Sequence, residues 1–401
     1  MLKWLLGPAR RLISWHDFRR TPPDPRSILR ALERAAGDAV KLAAQGHSLR
    51  DMLRVLAVAR GKRRVVAVPM GETGLPGRIL ALRAGSALTY AAVDDTTAPG
   101  QFSLEEMKNL YRADGLDRRT RVYGVIGDPV SHSLSPLMHN VGFQQRRMNA
   151  VYLPFLVRDL RDFLAAIEPL GIAGFSVTLP HKQRILRYLD DCDPLAAAIG
   201  AVNTVVVRGG SQPARAGQPA KAGQLYGYNT DYVGVLRALE RRVRLRGSRV
   251  LLYGAGGAAR GVAFALAQAG AVVCICARRL DRARALAHAV HGEVVPRERL
   301  RREFFDAIIN TTPVGMHPRI DASPLQAREL NCRIVFDLIY RPMKTRLLRL
   351  AERRGLETIS GVEMFVAQGT AQWEIWTGMR APVAAMRRAA LKALRREERS
   401  R

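Results

Sequence analysis

Two serines shortly after an apolar strand are the first side chains in this sequence whose type and spacing suit a small polar ligand. Ser133 and Ser135 stand two residues apart in the segment 128–136, which follows the apolar run 122–126. Closely spaced hydroxyls at this place can hold a polyhydroxylated or carboxylated molecule. By itself, the segment is more typical of a turn with a helix cap at Ser135, followed by proline.

Three later motifs add side chains suited to acid–base chemistry. Lys182 ends the segment 174–182, just beyond a predicted strand and a proline turn, where a lysine is usually a solvated surface charge. Asn203 stands at the start of a predicted strand. Asp231 stands at the start of a predicted helix, where a carboxylate commonly acts as an N-cap. Each motif alone is compatible with a purely structural role.

A glycine-rich turn between an apolar strand and an alanine-rich helix predicts a dinucleotide site. The apolar run 250–253 enters the turn, and the helical stretch 258–269 leaves it. Glycines in such a turn let backbone N–H groups approach a pyrophosphate at the positive end of the helix. The candidate cofactor-binding residues of the turn are Gly254, Ala255, Gly256, Gly257 and Ala258.

The residues after the second strand of this unit indicate which dinucleotide is bound. A second apolar run, 272–276, follows at the spacing of a β-α-β unit. Sites for NAD usually place an acidic residue at the end of that strand, where it binds the ribose 2′-hydroxyl. Here the position holds Arg278 and Arg279, with Arg282 close behind, and cations suit a 2′-phosphate. We therefore predict that the cofactor is NADP(H).

Three blocks of helices and strands are predicted to position these residues. The first block has predicted helices at 28–36 and 49–59 and a strand at 65–68. The polar stretch 112–120 is predicted to be a linker, and the segment 209–224 a loop that interrupts a hairpin. The expected domains are residues 1–116, residues 121–232 completed by residues 363–390, residues 233–361, and a basic tail at residues 391–401.

Composition indicates whether the protein binds nucleic acid or a membrane, and where in the cell it is located. The chain has 401 residues and a formal net charge of +29, which admits nucleic acid as a partner. Because the arginines are spread along the chain and aromatic residues make up only 6%, we expect no nucleic-acid partner. No apolar run reaches the roughly 18 residues that span a bilayer, so we expect no membrane partner and a cytoplasmic location.

The four cysteines show neither a C-x-x-C pair nor the spacing of metal ligands. We therefore expect no metal ion. Cys274 and Cys276 alternate on a predicted buried strand, and we expect both to fill one side of it as small apolar side chains in a reducing compartment.

Together, and in this order along the chain, the motifs resemble those of the shikimate dehydrogenase family. The match extends from about residue 122 to about residue 379, and it also includes the segments 310–316, 337–342 and 361–368. The resemblance implies a two-lobed α/β fold that consists of an α/β substrate domain and a Rossmann NADP domain. It also implies reversible, NADPH-dependent reduction of 3-dehydroshikimate to shikimate in aromatic amino-acid biosynthesis.

The resemblance also assigns roles to individual residues. Lys182 and Asp231 correspond to the catalytic pair, and Met316 and Tyr340 are expected near the nicotinamide. The residues expected to bind or orient the substrate are Ser133, Ser135, Thr178, Asn203 and Gln368. Hydride delivery to a ketone builds negative charge on its oxygen, which a nearby ammonium group can stabilise and protonate. Asp231 would hold that ammonium group and a substrate hydroxyl in register.

The sequence departs from many bacterial members of the family at a few positions. Ser176 stands where asparagine is common, and His181 stands where phenylalanine is common. The first of these changes is also familiar in the plant-type bifunctional enzymes. Where bacterial sequences often read Asn-Arg-Thr, this chain has an alanine, Ala277, followed by two arginines. The extra arginine is expected to favour NADP further.

The first block resembles the second half of type I 3-dehydroquinate dehydratase, which is a (β/α)₈ barrel. The segments that carry this resemblance are 13–18, 39–43, 69–71, 85–90 and 98–101. By resemblance, Lys41 would form a Schiff base with a substrate ketone and His16 would move protons. Arg78 and Gln101 would bind the substrate.

A full barrel needs about 200 residues or more, and about 115 precede the predicted linker. We therefore expect an N-terminal partial (β/α)₈ barrel with little dehydratase activity in this chain alone. Three explanations stay open: a truncated chain, a degenerate remnant, or a half-barrel that pairs with another chain. Two alternatives to a shikimate dehydrogenase stay open. One is a quinate/shikimate dehydrogenase with relaxed specificity, and the other is a non-catalytic regulatory protein that keeps the fold. We expect a small-molecule substrate and a monomer or homodimer.

Overall fold

The computed structural model describes residues 11–399 except residues 36, 62–63, 94–100, 132 and 210–222. Its strands are β1 (Leu12–Asp17), β2 (Ala39–Gln45), β3 (Val65–Met70), β4 (Arg121–Gly127), β5 (Ala150–Leu156), β6 (Ile172–Val177), β7 (Asp191–Cys192), β8 (Thr204–Arg208), β9 (Gln224–Tyr228), β10 (Arg249–Tyr253), β11 (Val272–Cys276), β12 (Glu293–Val294), β13 (Phe305–Asn310), β14 (Cys332–Asp337) and β15 (Glu357–Ile359). Its α-helices are α1 (Pro25–Glu33), α2 (Leu49–Ala57), α3 (Leu75–Ala84), α4 (Ser135–Gln145), α5 (Leu160–Leu170), α6 (Pro194–Ile199), α7 (Asp231–Leu239), α8 (Gly257–Gln268), α9 (Leu280–Ala289), α10 (Arg346–Arg353), α11 (Gly361–Thr377) and α12 (Val383–Arg399).

The described residues cluster into two units. The first unit falls within Met1–Pro136, Arg146–His181 and Val207–Gln224, and the second within Leu137–Gln145, Lys182–Val206 and Leu225–Arg401. The stretch 112–120, expected to be a linker, lies inside the first unit and contains a short 3₁₀ helix at Ala113–Gly115. The domain limits expected from the sequence therefore stay a prediction. Most of the expected loop at 209–224 lies outside the described residues.

The first block of the chain alternates strands and helices, as a partial barrel requires. Strands β1, β2 and β3 form a parallel sheet in that order, and α1, α2 and α3 follow them in turn. Helix α1 begins before the predicted residue 28 because Asp24 caps it by accepting a hydrogen bond from the Arg26 N–H, and Pro25 suits the first turn.

The rest of the first unit is a second parallel arrangement, in which β4 lies between β5 and β6. Asp162 of α5 accepts hydrogen bonds from the backbone N–H groups of Leu49 (2.6 Å) and Arg50 (3.1 Å). A carboxylate at a helix N-terminus satisfies unpaired N–H groups and the helix dipole. Asp162 therefore fixes the start of α2 against this part of the unit.

The second unit contains a six-stranded parallel sheet in the order β12-β11-β10-β13-β14-β15. This is the 3-2-1-4-5-6 order of a Rossmann fold, which confirms the predicted fold class. Alternate residues of β10 enter opposite cores: Val250 and Leu252 on one face, Leu251 and Tyr253 on the other. Cys274 and Cys276 share the face of Leu251 and Tyr253, so the prediction that they point to one side is confirmed.

The remaining strands of the second unit, β8, β9 and β7, are neighbours in that order. Helix α11 lies against them: Trp376 Nε1 donates to the Val205 carbonyl (3.0 Å), and Gln372 Nε2 donates to the Asn203 carbonyl (3.2 Å). Most of the expected basic tail is helical and belongs to α12, and residues 400–401 lie outside the described part of the chain. These contacts tie α11 to the start of β8, where the polar residues of the candidate site begin.

Candidate active site

The amino group of Lys182 and the carboxylate of Asp231 are in direct contact in the second unit. Lys182 Nζ lies 2.6 Å from Asp231 Oδ2, and the two side chains are 31% and 27% exposed. A small molecule can therefore reach the pair, while partial burial strengthens the interaction relative to open water. Asp231 is the first residue of α7, but its carboxylate binds Lys182 and Asn203. The alternative role as an N-cap is not observed.

Asn203 fixes the second oxygen of that carboxylate. Its Nδ2 group donates to Asp231 Oδ1 (2.9 Å) and to Thr230 Oγ1 (3.1 Å). Its Oδ1 atom accepts hydrogen bonds from the Thr230 N–H (2.7 Å) and from Thr204 Oγ1 (2.7 Å). Asn203 is almost fully buried, at 2% exposed. Both amide N–H groups are used within the protein, so the side chain orients Asp231.

Gln368 and Thr230 connect this network to α11. Gln368 is buried, and its Nε2 group donates to the Phe365 carbonyl one turn earlier (3.0 Å). Its Oε1 atom lies 3.5 Å from Thr230 Oγ1. The structure therefore brings together four residues predicted from the sequence: Lys182, Asn203, Asp231 and Gln368. It adds Thr230, which the sequence had shown only as a neighbour of Asp231.

A buried histidine lies behind this network. His139 is fully buried in α4, and its ring centroid lies 5.1 Å from that of Trp376. Burial lowers the pKa of His139 to about 3. His139 is therefore a neutral, structural side chain near neutral pH.

In the first unit, Ser133 and Ser135 are held at the start of α4. The helix begins at Ser135, whose backbone N–H donates to Ser133 Oγ (3.2 Å). The hydroxyl of the serine two residues earlier therefore accepts a backbone bond at the helix start. Ser135 shares a hydrogen bond with the buried Tyr152, whose hydroxyl also donates to Ser176 Oγ (2.6 Å). Sequence motifs could not point to Tyr152, because it lies on β5, distant in the chain from both serines.

Thr178 and His181 belong to the loop after β6 in the first unit. The Thr178 N–H donates to the Ile126 carbonyl (3.0 Å), and its methyl group packs against Gly127. His181 is buried, and its Nε2 atom lies 2.6 Å from the Val157 carbonyl. The histidine that replaces the common phenylalanine therefore anchors this loop to the end of β5, and Thr178 stays half-buried.

The glycine-rich turn after β10 has the geometry of a pyrophosphate site. Gly254 has a φ of +125°, and a Cβ there would collide with the Thr311 side chain, so the turn requires glycine. Gly256 and Gly257 are exposed, and no described atom lies within 4 Å of where their Cβ atoms would stand. Helix α8 follows directly and has no acidic residue in its first turn. The residues present therefore fit a dinucleotide at the helix N-terminus.

Arg278 and Arg279 follow β11, as predicted, and both are exposed. They differ in their partners. Arg279 Nη2 lies 3.2 Å from Asp281 Oδ2, whereas Arg278 makes no ion pair with a described residue. Arg278 is therefore the better candidate to bind a 2′-phosphate, because Arg279 must first give up its carboxylate partner.

Met316 and Tyr340 lie on two loops of the second unit. Met316 is 46% exposed. Tyr340 stacks on Phe365, with ring centroids 5.0 Å apart and an interplanar angle of 21°. Burial raises the pKa of the Tyr340 hydroxyl, and the positive charges of Arg341 and Lys182 oppose that rise.

The candidate dehydratase residues all lie within the first unit. His16 and Lys41 stand on adjacent strands, and partial desolvation together with the Lys41 charge lowers the pKa of His16. Lys41 Nζ lies 4.2 Å from the centre of the Tyr90 ring. Arg78 is buried and lines a cavity of about 360 Å³ together with Phe18, whose ring stacks on His16. Next to Gln101, residues 98–100 lie outside the described part of the chain.

Within the described residues, no group of three or more His, Cys, Asp or Glu side chains is placed to hold a metal ion. None of the helices in the described part of the chain is long and apolar enough to cross a membrane.

Comparison with family models finds matches in three parts of the chain. A model described as type I 3-dehydroquinase matches residues 7–118. The shikimate dehydrogenase substrate binding domain matches residues 125–205, and the shikimate 5′-dehydrogenase C-terminal domain matches residues 361–391.

Individual proteins match much more of the chain. A bifunctional 3-dehydroquinate dehydratase/shikimate dehydrogenase of Arabidopsis thaliana, described as chloroplastic, is 36% identical over 94% of this chain, and the chain spans 64% of the length of that protein. A shikimate dehydrogenase (NADP(+)) of Bacillus anthracis is 44% identical over 64% of this chain and 93% of its own length. The structure of shikimate 5-dehydrogenase from Thermus thermophilus, in complex with NADP(H) and shikimate, covers 68% of this chain and 99% of its own, with a TM-score of 0.60 and 36% identity.

Proposed function

Because this chain belongs to the shikimate dehydrogenase family, we propose that it interconverts 3-dehydroshikimate and shikimate with NADP(H) as cofactor, in aromatic amino-acid biosynthesis. The single observation that carries the proposal is the contact between Lys182 Nζ and Asp231 Oδ2 at 2.6 Å. A regulatory protein that only kept the fold would have no need of this pair. The contact therefore favours an enzyme over a non-catalytic relative.

Lys182 and Asp231 perform the proton chemistry. When bound, NADPH supplies the hydride for reduction of the ketone, and NADP⁺ accepts it in the reverse direction. As negative charge builds on the ketone oxygen, the ammonium group of Lys182 stabilises it and donates a proton. Asp231 holds Lys182 in place with one oxygen, while Asn203 fixes the other oxygen. This division leaves the remaining N–H groups of Lys182 free to reach the substrate.

The substrate is held by the hydroxyl and amide groups of the residues that the sequence motifs predicted. We assign Ser133 and Ser135 to the carboxylate, because both stand at the start of α4, where Ser133 is half-buried and Ser135 is buried. Thr178 and Gln368 bind ring hydroxyls, and Asn203 acts through Asp231. These assignments rest on the family resemblance and on the place of each residue: Thr178 follows β6, Asn203 precedes β8, and Gln368 lies on α11.

The turn from Gly254 to Ala258 would hold the pyrophosphate of NADP(H) at the start of α8. Arg278 and Arg279 would bind the 2′-phosphate. Met316 and Tyr340 would contribute to the nicotinamide site.

The first block supports a narrower proposal. It matches the dehydroquinase model, but its described strands form a sheet of three, whereas a full barrel has eight. We propose that this chain has little dehydratase activity by itself, and an assay of 3-dehydroquinate conversion by the purified protein tests this.

We further propose that the protein is a cytoplasmic monomer or homodimer that binds neither nucleic acid nor membrane. Gel filtration and a duplex-binding assay at several salt concentrations test the assembly and the nucleic-acid proposals.

The decisive experiment for the function is a comparison of two substrates and two cofactors. Purified protein is assayed for reduction of NADP⁺ and NAD⁺ with shikimate and with quinate. The proposal requires the highest kcat/KM for shikimate with NADP⁺. Comparable turnover of quinate would indicate a relaxed quinate/shikimate dehydrogenase, and no turnover by folded, NADPH-binding protein would support the regulatory alternative.

A further inference from the structure

A buried carboxylate at the end of β14 binds both loops that carry the proposed nicotinamide neighbours. Asp337 is the last residue of β14 and is fully buried. Its Oδ2 atom accepts a hydrogen bond from Thr345 Oγ1 (2.7 Å). Its Oδ1 atom accepts from Asn310 Nδ2 (3.0 Å) and from the Ile339 N–H (3.1 Å). Within the described residues, Asp337 makes no ion pair, so these hydrogen bonds alone compensate its burial.

On one side, Asp337 acts through Asn310 on the loop 311–316. Asn310 is the last residue of β13 and stands opposite Asp337 in the parallel register. Its Oδ1 atom accepts from the Thr312 N–H (3.0 Å) and from Thr312 Oγ1 (2.7 Å). Thr312 Oγ1 in turn accepts from the Val314 N–H (3.3 Å). One side chain thus sets the path of the loop that ends at Met316.

On the other side, Asp337 fixes the loop 338–345. The Ile339 N–H binds the carboxylate directly, and Thr345 closes the loop. Thr345 Oγ1 also accepts from the Leu348 N–H (3.3 Å), which caps α10. Tyr340 lies inside this closed loop and stacks on Phe365. Both ends of the loop are therefore held by one carboxylate.

The two loops also meet each other. Gly315 has a φ of +101°, and a Cβ there would lie 3.8 Å from Thr345 Cβ. A shift of either loop would therefore displace the other. Burial raises the pKa of Asp337 to about 6, and hydrogen bonds from Thr345, Ile339 and Asn310 oppose that rise. Near neutral pH the carboxylate is charged and can accept all three bonds.

We propose that Asp337 is a positioning residue for the cofactor, which holds the loops 311–316 and 338–345 in one arrangement so that Met316 and Tyr340 are presented together to NADP(H). The inference rests on the proposed function, because it assumes that these two residues line the nicotinamide site. Asp337 itself touches neither the substrate nor the reacting atoms. Its effect is expected on cofactor affinity and on the order of the loops, with little effect on shikimate binding.

Four variants test the proposal. Asp337→Asn keeps the size of the side chain but removes its charge and one acceptor oxygen, so the three hydrogen bonds become weaker or one of them must reverse its direction. Thr345→Val removes the hydroxyl that bonds the carboxylate, and Thr345→Ser restores it. Ile334→Val removes a methylene from the buried part of the same strand and leaves every hydrogen bond of the Asp337 carboxylate in place, so it measures the effect of lower stability.

The first readout is the dissociation constant for NADPH, followed by nicotinamide fluorescence without substrate. Thr345→Val and Asp337→Asn are expected to raise it at least about tenfold, while Thr345→Ser stays close to wild type. The KM for shikimate, measured at saturating NADP⁺, is expected to change by less than about threefold. The second readout is amide hydrogen exchange without cofactor, in which the N–H groups of Thr312, Val314 and Ile339 exchange faster in Thr345→Val.

Two results would overturn the proposal. One is unchanged NADPH affinity and unchanged exchange in Thr345→Val. The other is an equal loss of affinity in Ile334→Val, which would make the network merely structural. If Asp337→Asn fails to fold, the comparison of Thr345→Val with Thr345→Ser decides. If wild-type protein binds NADPH but does not turn over shikimate, the proposed function is wrong. The NADPH affinities and the exchange rates would still test the role of Asp337.

Discussion

Lys182 and Asp231, 49 residues apart in the chain, share a hydrogen bond of 2.6 Å, and Asn203 holds the other oxygen of the carboxylate at 2.9 Å. The two oxygens of Asp231 are thus committed to different partners. Because Asn203 is itself bound on both sides by Thr230, the carboxylate has little freedom to rotate. The arrangement orients an ammonium group before any substrate arrives, which is the kind of preorganisation that lowers an activation barrier.

Asp231→Asn should lower kcat about 100-fold or more, because the amide can no longer hold Lys182 as a charged partner. NADPH binding should stay unchanged, since Asp231 lies outside the glycine-rich turn. Steady-state kinetics with shikimate and a fluorescence titration with NADPH measure the two effects. A variant with wild-type kcat would remove Asp231 from the catalytic pair.

Arg278 should contribute more than Arg279 to the choice of NADP⁺ over NAD⁺. Arg278 makes no ion pair with a described residue, whereas Arg279 is engaged with Asp281. Arg278→Gln should reduce the ratio of kcat/KM for the two cofactors about 10-fold or more, and Arg279→Gln should reduce it less. Arg301→Gln, at an exposed position after β12, is the control. Equal effects of all three substitutions would indicate a general effect of charge.

Two glycines of the cofactor turn should respond differently to alanine. Gly254→Ala forces an unfavourable φ and a collision with Thr311, so it should lower the free energy of unfolding by about 1–3 kcal/mol. Gly256→Ala meets no described atom and should keep the thermal midpoint, but its methyl group would crowd the pyrophosphate and weaken NADPH binding. Thermal melts and NADPH titrations separate the two. Unchanged NADPH affinity in Gly256→Ala would place the pyrophosphate elsewhere.

His139 should make the fold sensitive to acid. Burial lowers its pKa from 6.5 to about 3, so between these values the unfolded chain binds more protons than the folded chain. Its contribution to stability is therefore fully present above pH 6.5 and is lost as the pH falls towards 3, by up to about 1.4 kcal/mol per pH unit. Urea unfolding of wild type and His139→Gln between about pH 7.5 and 4.5 should show a shallower pH dependence in the variant.

The control for this experiment is His288→Gln, at an exposed position of α9. It should leave the pH dependence of the urea midpoint as it is in wild type. Identical slopes for wild type and His139→Gln would show that other groups set the acid sensitivity of the fold.

Local sequence patterns predicted the dinucleotide unit well. The predicted strand 250–253 and helix 258–269 are observed as β10 and α8, each within a residue of its predicted limits. Alternation alone placed Cys274 and Cys276 on one face. These features depend on residues close together in the chain, where apolar periodicity and glycine geometry act directly.

Contacts between distant residues could not be read in the same way. Tyr152 binds Ser176, 24 residues away, and Thr230 reaches Gln368, 138 residues away. The motif that contains Asp337 was visible in the sequence, but its role depends on β13 and β14 being neighbours in the sheet. The family resemblance supplied the catalytic pair, and the structure supplied the residues that hold it.

The most direct test of the proposed catalytic pair is the kcat for NADP⁺ reduction with shikimate by Lys182→Ala, compared with wild type and with Lys108→Ala. Lys108 is an exposed lysine of the first unit, so its loss controls for a change of charge. NADPH affinity is measured on the same samples to show that each variant is folded. Lys182→Ala is expected to bind NADPH normally and to lose about 1,000-fold in kcat, while Lys108→Ala stays close to wild type. A Lys182→Ala variant with wild-type kcat would contradict the assignment of Lys182.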